Sequence, residues 1–204
     1  MTMKVAIIDY GMGNVASVQK AFTHLRCESV ITNQKNEIEK ATHIVLPGVG
    51  SFKQGMDNLK NSGLNNLLYE SVIEKKKSFL GICLGMQLLA VKGTEPSICD
   101  GLGWIKGEVC KIQETALMIP HLGWNQIEAK KNSSMSIFNE KDFYFIHSYH
   151  FNTTEEEDVI ARVTYGKKYV AAIQKLNILA VQFHPEKSQK NGLELLKNFI
   201  GTNA

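Results

Sequence analysis

The sequence predicts an α/β fold on a mostly parallel sheet, with an additional antiparallel β portion in its second half. Three observations carry this. Up to residue 92, short apolar runs alternate with stretches whose apolar residues recur at helical spacing, the pattern of strands joined by crossover helices. Those runs, such as Val5–Ile8 and Ile44–Leu46, are continuously apolar, as strands covered on both faces are. From about Gly101 the helical period disappears and short β-like segments follow one another, separated by Gly, Asn or charged residues.

Lys4–Asp9 is the first strand, closed by Gly11 and Gly13. Asn14, a good N-cap, opens a helix carrying Val15, Val18, Phe22 and Leu25. Ser29–Thr32 and His43–Leu46 are the next strands. After Pro47-Gly48-Val49-Gly50, the residues Phe52, Met56, Leu59, Leu64, Leu67, Leu68 and Val72 continue with helical period. Ser78–Ile82 is a strand running into Cys83, with Leu84–Val91 as the following helix. The second half reads as strands at Leu102–Ile105, Val109–Ile112, Trp124–Ile127, Phe143–His147, Val159–Tyr165, Tyr169–Gln174 and Ile178–Phe183, with a hairpin turn at Tyr165–Tyr169. Asn132–Ser136 and Thr153–Asp158 are polar enough for surface loops, and Leu193, Leu196 and Ile200 mark a closing amphipathic helix.

With 204 residues, 44% of them hydrophobic, the chain fits a single domain spanning 1–204. Charged residues make up 21%, the net charge is +3, and Lys75 to Lys77 is the longest basic run, so no basic stripe points to nucleic acid. No apolar run approaches the roughly 20 residues of a membrane span, and no signal-like start precedes the first strand; a cytoplasmic protein is expected. Cys27, Cys83, Cys99 and Cys110 lack C-x-x-C pairing, so neither a disulfide framework nor a zinc ribbon is favoured.

Gly81-Ile82-Cys83-Leu84-Gly85 has the G-x-nucleophile-x-G form, in which small flanking residues allow a strained strand-to-helix turn to lift one side chain clear of the sheet. A thiol there faces a helix N-terminus, which favours thiolate, and the Leu84 N–H is placed to meet a developing oxyanion. A thiolate needs a base and the base an orienting acceptor; His184-Pro185-Glu186, at the end of an apolar run, supplies both. Alone, H-x-E is a weak signal, and a histidine at a strand end is more often structural. Paired with the elbow, it gives the best triad candidate in the chain. Pro47–Gly50 follows the third strand, and its glycines allow a backbone N–H to be aimed at a ligand, as the other half of an oxyanion hole.

Two stretches resemble the class I, triad-type glutamine amidotransferases, and within them the glutaminase subunits of imidazole glycerol phosphate synthase. They are Gly81-Ile82-Cys83-Leu84-Gly85-Met86-Gln87-Leu88-Leu89 and Val181-Gln182-Phe183-His184-Pro185-Glu186-Lys187-Ser188. The likeness extends to Asp9–Asn14, Leu46–Gly50, Pro120–Asn125 and Phe145–Tyr149, nearly the whole chain, and Met86 stands where many related synthases have His. Leu122 departs from the common Met by a volume-conserving swap.

The resemblance implies a three-layer, flavodoxin-like class I glutaminase fold and hydrolysis of glutamine by Cys83, His184 and Glu186, without metal or organic cofactor. It implies oxyanion donors at Val49 and Leu84, with the Val49 amide mobile. Gly50 and Gln87 would hold the substrate, and backbone near Ser148 and Tyr149 would grip its amino-acid end. His121, Trp124, Asn125 and Lys187 would face a separate (β/α)8 cyclase that receives the ammonia in histidine biosynthesis. A paralogous partner that aminates a sugar nucleotide for surface glycans is the alternative use.

Three rival readings are weaker. Gly11-x-Gly13-x-x-Ala16 satisfies a loose dinucleotide fingerprint, but the second strand ends in Asn33 and Gln34, where an acid is required. A non-catalytic module that only activates a partner is distinguished by the effect of Cys83→Ala. His147-x-x-His150 as a metal pair fails because strand alternation sends the two to opposite faces; His147 is expected to hydrogen-bond near the glutamine pocket.

Overall fold

The computed structural model describes residues 3–113 and 116–201. In chain order the first half comprises β1 (Lys4–Ile8), α1 (Val15–His24), β2 (Glu28–Thr32), α2 (Lys35–Lys40), β3 (His43–Gly48), α3 (Phe52–Asn61), α4 (Leu64–Leu68), β4 (Ser78–Cys83) and α5 (Leu84–Gln87). The second half comprises β5 (Lys92–Gly93), β6 (Cys99–Asp100), β7 (Glu108–Lys111), β8 (His121–Ala129), β9 (Asp142–His147), β10 (Tyr149–Asn152), β11 (Val159–Tyr165), β12 (Lys167–Lys175), β13 (Ile178–Val181) and α6 (Gln189–Gly201). A nine-stranded sheet runs β2-β1-β3-β4-β13-β12-β11-β8-β9, and a smaller one runs β10-β7-β5-β6. The run from β2 to β13 is parallel; the remainder of the large sheet is antiparallel.

The continuous apolar runs are explained by two cores. Val5 and Ile7 of β1 turn to one face, among Val18, Phe22, Leu196 and Phe199 of α1 and α6. Ala6 and Ile8 turn to the other, among Met56, Leu59, Leu64 and Leu68 of α3 and α4. Alternation within a strand covered on both sides thus requires apolar residues at every position, and the result is three layers. Asn14 caps α1 as expected, its side chain accepting the Ser17 N–H.

Four sequence expectations change. The helix predicted from Leu84 to Val91 stops at Gln87, and Leu102–Ile105 is a bend rather than a strand. The causes are linked: after Leu88 the turn tightens, the Val91 N–H goes to the Gly107 carbonyl instead of that of Gln87, and the carbonyls of Leu88, Leu89 and Ala90 accept the N–H groups of Leu102, Trp104, Ile105 and Gly103. The helical run after residue 52 breaks at Gly63, whose φ of +70° suits glycine, and then continues past α4 as a π-helical stretch over Tyr69–Glu74. The polar α2, with Ile38 as its buried residue, was not anticipated. All four cysteines are free.

Candidate active site

Parallel pairing gathers the functional groups at the carboxyl ends of β3, β4 and β13. Gly48 lies opposite Cys83, and Val181 opposite Ile82. The backbone that follows β3 therefore borders the thiol on one side, and the segment that follows β13 borders it on the other. Cys83 has φ +53° and ψ −109°, a conformation costing a side chain on the order of 1–3 kcal/mol. Glycines make the turn possible: a Cβ on Gly85 would fall on the Leu46 carbonyl oxygen, and one on Gly81 would lie 2.9 Å from the Gly85 oxygen. Gly48 is equally constrained, because the Tyr10 hydroxyl fills the space a side chain would need. α5 is a single turn, so the dipole expected of a longer helix is short here; the sulfur's hydrogen-bond partners are the Ile146 carbonyl at 3.8 Å and Gln182 Nε2 at 3.7 Å.

His184 is held from three directions. Its backbone N–H bonds the Tyr144 carbonyl at 2.9 Å, its carbonyl accepts the Ser188 hydroxyl at 2.6 Å, and its Nδ1 pairs with Glu186 Oε1 at 2.8 Å. Both members of the ion pair are almost fully buried. Burial disfavours a charged imidazole, but the Cys83 sulfur and the Glu186 carboxylate outweigh it and carry the His184 pKa up to about 10. Nε2 is buried without a hydrogen-bond partner of its own among the described residues, and Cys83 is the group that acts on the ring from the side opposite Glu186. The arrangement can hold a thiolate beside an imidazolium, which is a nucleophile together with a proton donor.

A cleft of about 400 Å³ exposes these groups, lined by Val49, Gly50, Cys83, Leu84, Gln87, Ser148, Tyr149, His184 and Lys187 among others. Gln87 Nε2 donates to the Tyr149 carbonyl at 2.8 Å and to Gln182 Oε1 at 3.0 Å, which engages both amide hydrogens and leaves Oε1 for a ligand. The Tyr149 carbonyl is engaged by both Gln87 and His147, whereas the Ser148 carbonyl accepts one bond, from Ile112, and keeps a second lone pair for a ligand.

The outward-facing residues sort by strand alternation. His121, expected at a partner interface, is wholly buried; it pairs across β8–β9 with His147 and turns inward, which corrects that expectation. Leu122 and Trp124, on the opposite face, are 56% and 45% exposed, and Asn125 is half-buried. Lys187 lines the cleft, with its Nζ 5.7 Å from the centre of the Tyr144 ring. His147 and His150 fall in different sheets, on strands separated by Ser148, and His150 meets Cys110 Sγ at 3.4 Å.

Three residues in or beside the site were not singled out from sequence. Glu95 lines the cleft from the β5–β6 loop and accepts the Phe52 N–H; burial raises its pKa. No periodicity or motif distinguishes it within Thr94-Glu95-Pro96. Gln182, fully buried, donates to Cys83 Sγ at 3.7 Å, and Ser188 ties the His184 segment to Tyr144. Both stand next to recognised motif residues, a position that could have drawn attention to them.

The glutamine amidotransferase class-I family matches residues 6–202. Imidazole glycerol phosphate synthase subunit HisH 1 of Campylobacter jejuni (strain RM1221) is 49% identical over 96% of this chain and 98% of its own length. Subunit HisH 2 of Methanococcus maripaludis is 42% identical with the same coverage. The solved structure of PurLQS from Thermotoga maritima superposes with a TM-score of 0.74 over 98% of this chain and 99% of that one, at 16% identity, a likeness of fold. With its α/β architecture, this chain belongs to the class I glutamine amidotransferases and, within them, to the family of the HisH subunits.

Proposed function

We propose that residues 1–204 act as one amidotransferase domain that hydrolyses L-glutamine to glutamate and ammonia through a Cys83–His184–Glu186 triad. The observation that carries this reading is the strained Cys83 turn opening into the same cleft as a buried, carboxylate-anchored His184. The thiolate attacks the side-chain amide carbon. The oxyanion of the tetrahedral intermediate is met by backbone N–H groups at Leu84 and Val49, each such donor being worth about 100- to 1000-fold in rate. His184 gives its proton to the departing ammonia, leaving a γ-glutamyl thioester. It then takes a proton from the water that releases glutamate and restores the thiol. Glu186 fixes the imidazole's orientation and its charge.

Glu95 suits the substrate's ammonium group, Gln87 Oε1 accepts from its amide, and Gly50 with the Ser148–Tyr149 backbone completes the cradle. No step calls for a cofactor. Exposed Leu122, Trp124 and Ile146 on the outer face of β8–β9, with Val49 at the mouth of the cleft, form an apolar rim suited to a docked partner. The HisH relatives are subunits of imidazole glycerol phosphate synthase, which supports a (β/α)8 cyclase of histidine biosynthesis in that place, drawing ammonia directly from the cleft in the cytoplasm. A second reading keeps the same chemistry, with a paralogous barrel that aminates a surface-glycan sugar in the partner's place.

Copurification with each candidate barrel, followed by glutaminase assays of wild type and Cys83→Ala, tests this. Partner-stimulated ammonia release that disappears in the variant is expected. Turnover retained by Cys83→Ala refutes the triad, and stimulation by neither barrel refutes the partner.

A further inference from the structure

Behind the cleft, three contacts form a line whose hydrogens can be counted. His147 Nδ1 lies 2.8 Å from the Tyr149 carbonyl, His147 Nε2 lies 3.0 Å from His121 Nδ1, and His121 Nε2 lies 2.9 Å from Asn125 Oδ1. The line begins and ends on carbonyl oxygens, which bring no hydrogen. Three bonds need three hydrogens, while two neutral imidazoles supply two. The third comes either from an imidazolium or from the Asn125 amide, which can present its nitrogen at the same place by turning over.

The surroundings decide between these. His121 is wholly buried, stacked between Phe145 and Tyr165, whose hydroxyl is engaged by the Met118 carbonyl. The titratable neighbours acting on His147 are His121, His150 and His184, each of which disfavours a further positive charge. Burial is the largest influence on both His121 and His147, and it lowers the pKa of each. Both imidazoles are therefore neutral, and the amide supplies the missing hydrogen.

We propose that Asn125, His121 and His147 form a tautomer relay that positions the substrate cleft: Asn125 Nδ2–H donates to His121 Nε2, His121 Nδ1–H to His147 Nε2, and His147 Nδ1–H to the Tyr149 carbonyl. Both histidines then carry their hydrogen on Nδ1. The Tyr149 carbonyl also receives Gln87, which holds Gln182, which reaches Cys83 Sγ. Hydrogen bonds thus run unbroken from a half-buried amide beside the exposed Leu122 and Trp124 to the nucleophile. If Asn125 turns its oxygen inward, the relay reverses. His147 Nδ1 then faces the Tyr149 carbonyl with a lone pair, and that hold is lost. A partner that engages the Asn125 amide can therefore loosen or fix the cleft without touching it.

The functional consequence rests on the glutaminase reading; the tautomers do not. Nitrogen-15 NMR of the full-length, histidine-labelled chain at pH 7.5 is expected to show His121 and His147 as neutral Nδ1–H tautomers. An Nε2–H tautomer or an imidazolium at either position overturns the relay. In Asn125→Asp, whose carboxylate only accepts, His121 is expected to become an imidazolium that keeps all three bonds; a neutral His121 in that variant also overturns it. With the partner bound, Asn125→Leu should raise the KM for glutamine roughly 2- to 10-fold, the worth of one neutral hydrogen bond, with kcat little changed. Asn125→Asp should stay near wild type at neutral pH and approach the Leu variant as His121 deprotonates at higher pH. An unchanged KM in Asn125→Leu refutes the link to the cleft. A wild type without glutaminase activity but with the expected tautomers refutes the glutaminase reading instead.

Discussion

Acidification should destabilise the fold through His147 in particular. Burial holds this imidazole neutral and lowers its pKa to about 3, whereas in the unfolded chain it titrates near 6.5. Between those values the unfolded state binds a proton that the folded state refuses. The stabilisation is therefore complete above pH 6.5 and falls away as the pH drops toward 3. The difference of about 3.5 units, at about 1.4 kcal/mol per unit, comes to an order of 5 kcal/mol, a large share of a typical domain's stability. His184 works in the opposite window: its raised pKa adds stability that is full below pH 6.5 and lost as the pH rises through about 10.

Urea unfolding of wild type and His147→Phe at intervals from pH 8 to pH 4 separates the His147 contribution. Ion pairs that do not involve His147, such as Lys4–Glu37 and Lys75–Glu70, titrate alike in both proteins and cancel in the difference. Above pH 7 the wild type should exceed the variant by a constant amount. Below 6.5 that advantage should shrink by about 1.4 kcal/mol per unit. Parallel stability curves for the two proteins across this range would refute the assignment of a neutral, buried His147.

Other substitutions probe separate parts of the account. Gly85→Ala should lower stability by about 3 kcal/mol or more, because its Cβ would fall on the Leu46 carbonyl at the centre of the sheet; a melting temperature near wild type would contradict the close packing of the elbow. Glu186→Gln keeps an acceptor for His184 Nδ1 but removes the charge that favours imidazolium. Partner-stimulated kcat should fall by about 10³ to 10⁴, and a loss below tenfold would show that the carboxylate is dispensable. Trp124→Ala, on the exposed face of β8, should weaken partner binding measured by calorimetry roughly 30-fold or more while leaving urea unfolding of the free chain within about 0.5 kcal/mol of wild type; unaltered affinity would remove this face from the interface.

The parallel half of the sheet was legible because burial on two faces writes itself as uninterrupted apolar runs, and the triad candidates were legible because the elbow needs glycines at fixed offsets from the nucleophile. What the sequence hid depends on contacts between distant segments. The early end of α5 depends on residues 102–107: the Gly107 carbonyl takes the Val91 N–H, and the 102–105 N–H groups take the carbonyls of Leu88, Leu89 and Ala90. His121 looked available to a partner because the Pro120–Asn125 motif was read as one surface, yet alternation along β8 sends His121 inward and Leu122 and Trp124 outward. Glu95 contributes through placement alone, on a short loop where neither type nor spacing distinguishes it, whereas Gln182 adjoins motif residues that could have pointed to it.

The central claim is that the Cys83 sulfur takes up the glutamyl group. Acid quenching of the partner-bound protein during turnover with glutamine, followed by peptide mass spectrometry, measures this directly. A γ-glutamyl thioester confined to the peptide containing Cys83 is the expected result; ammonia released with no adduct there, or with the adduct on Cys27, Cys99 or Cys110, would contradict it.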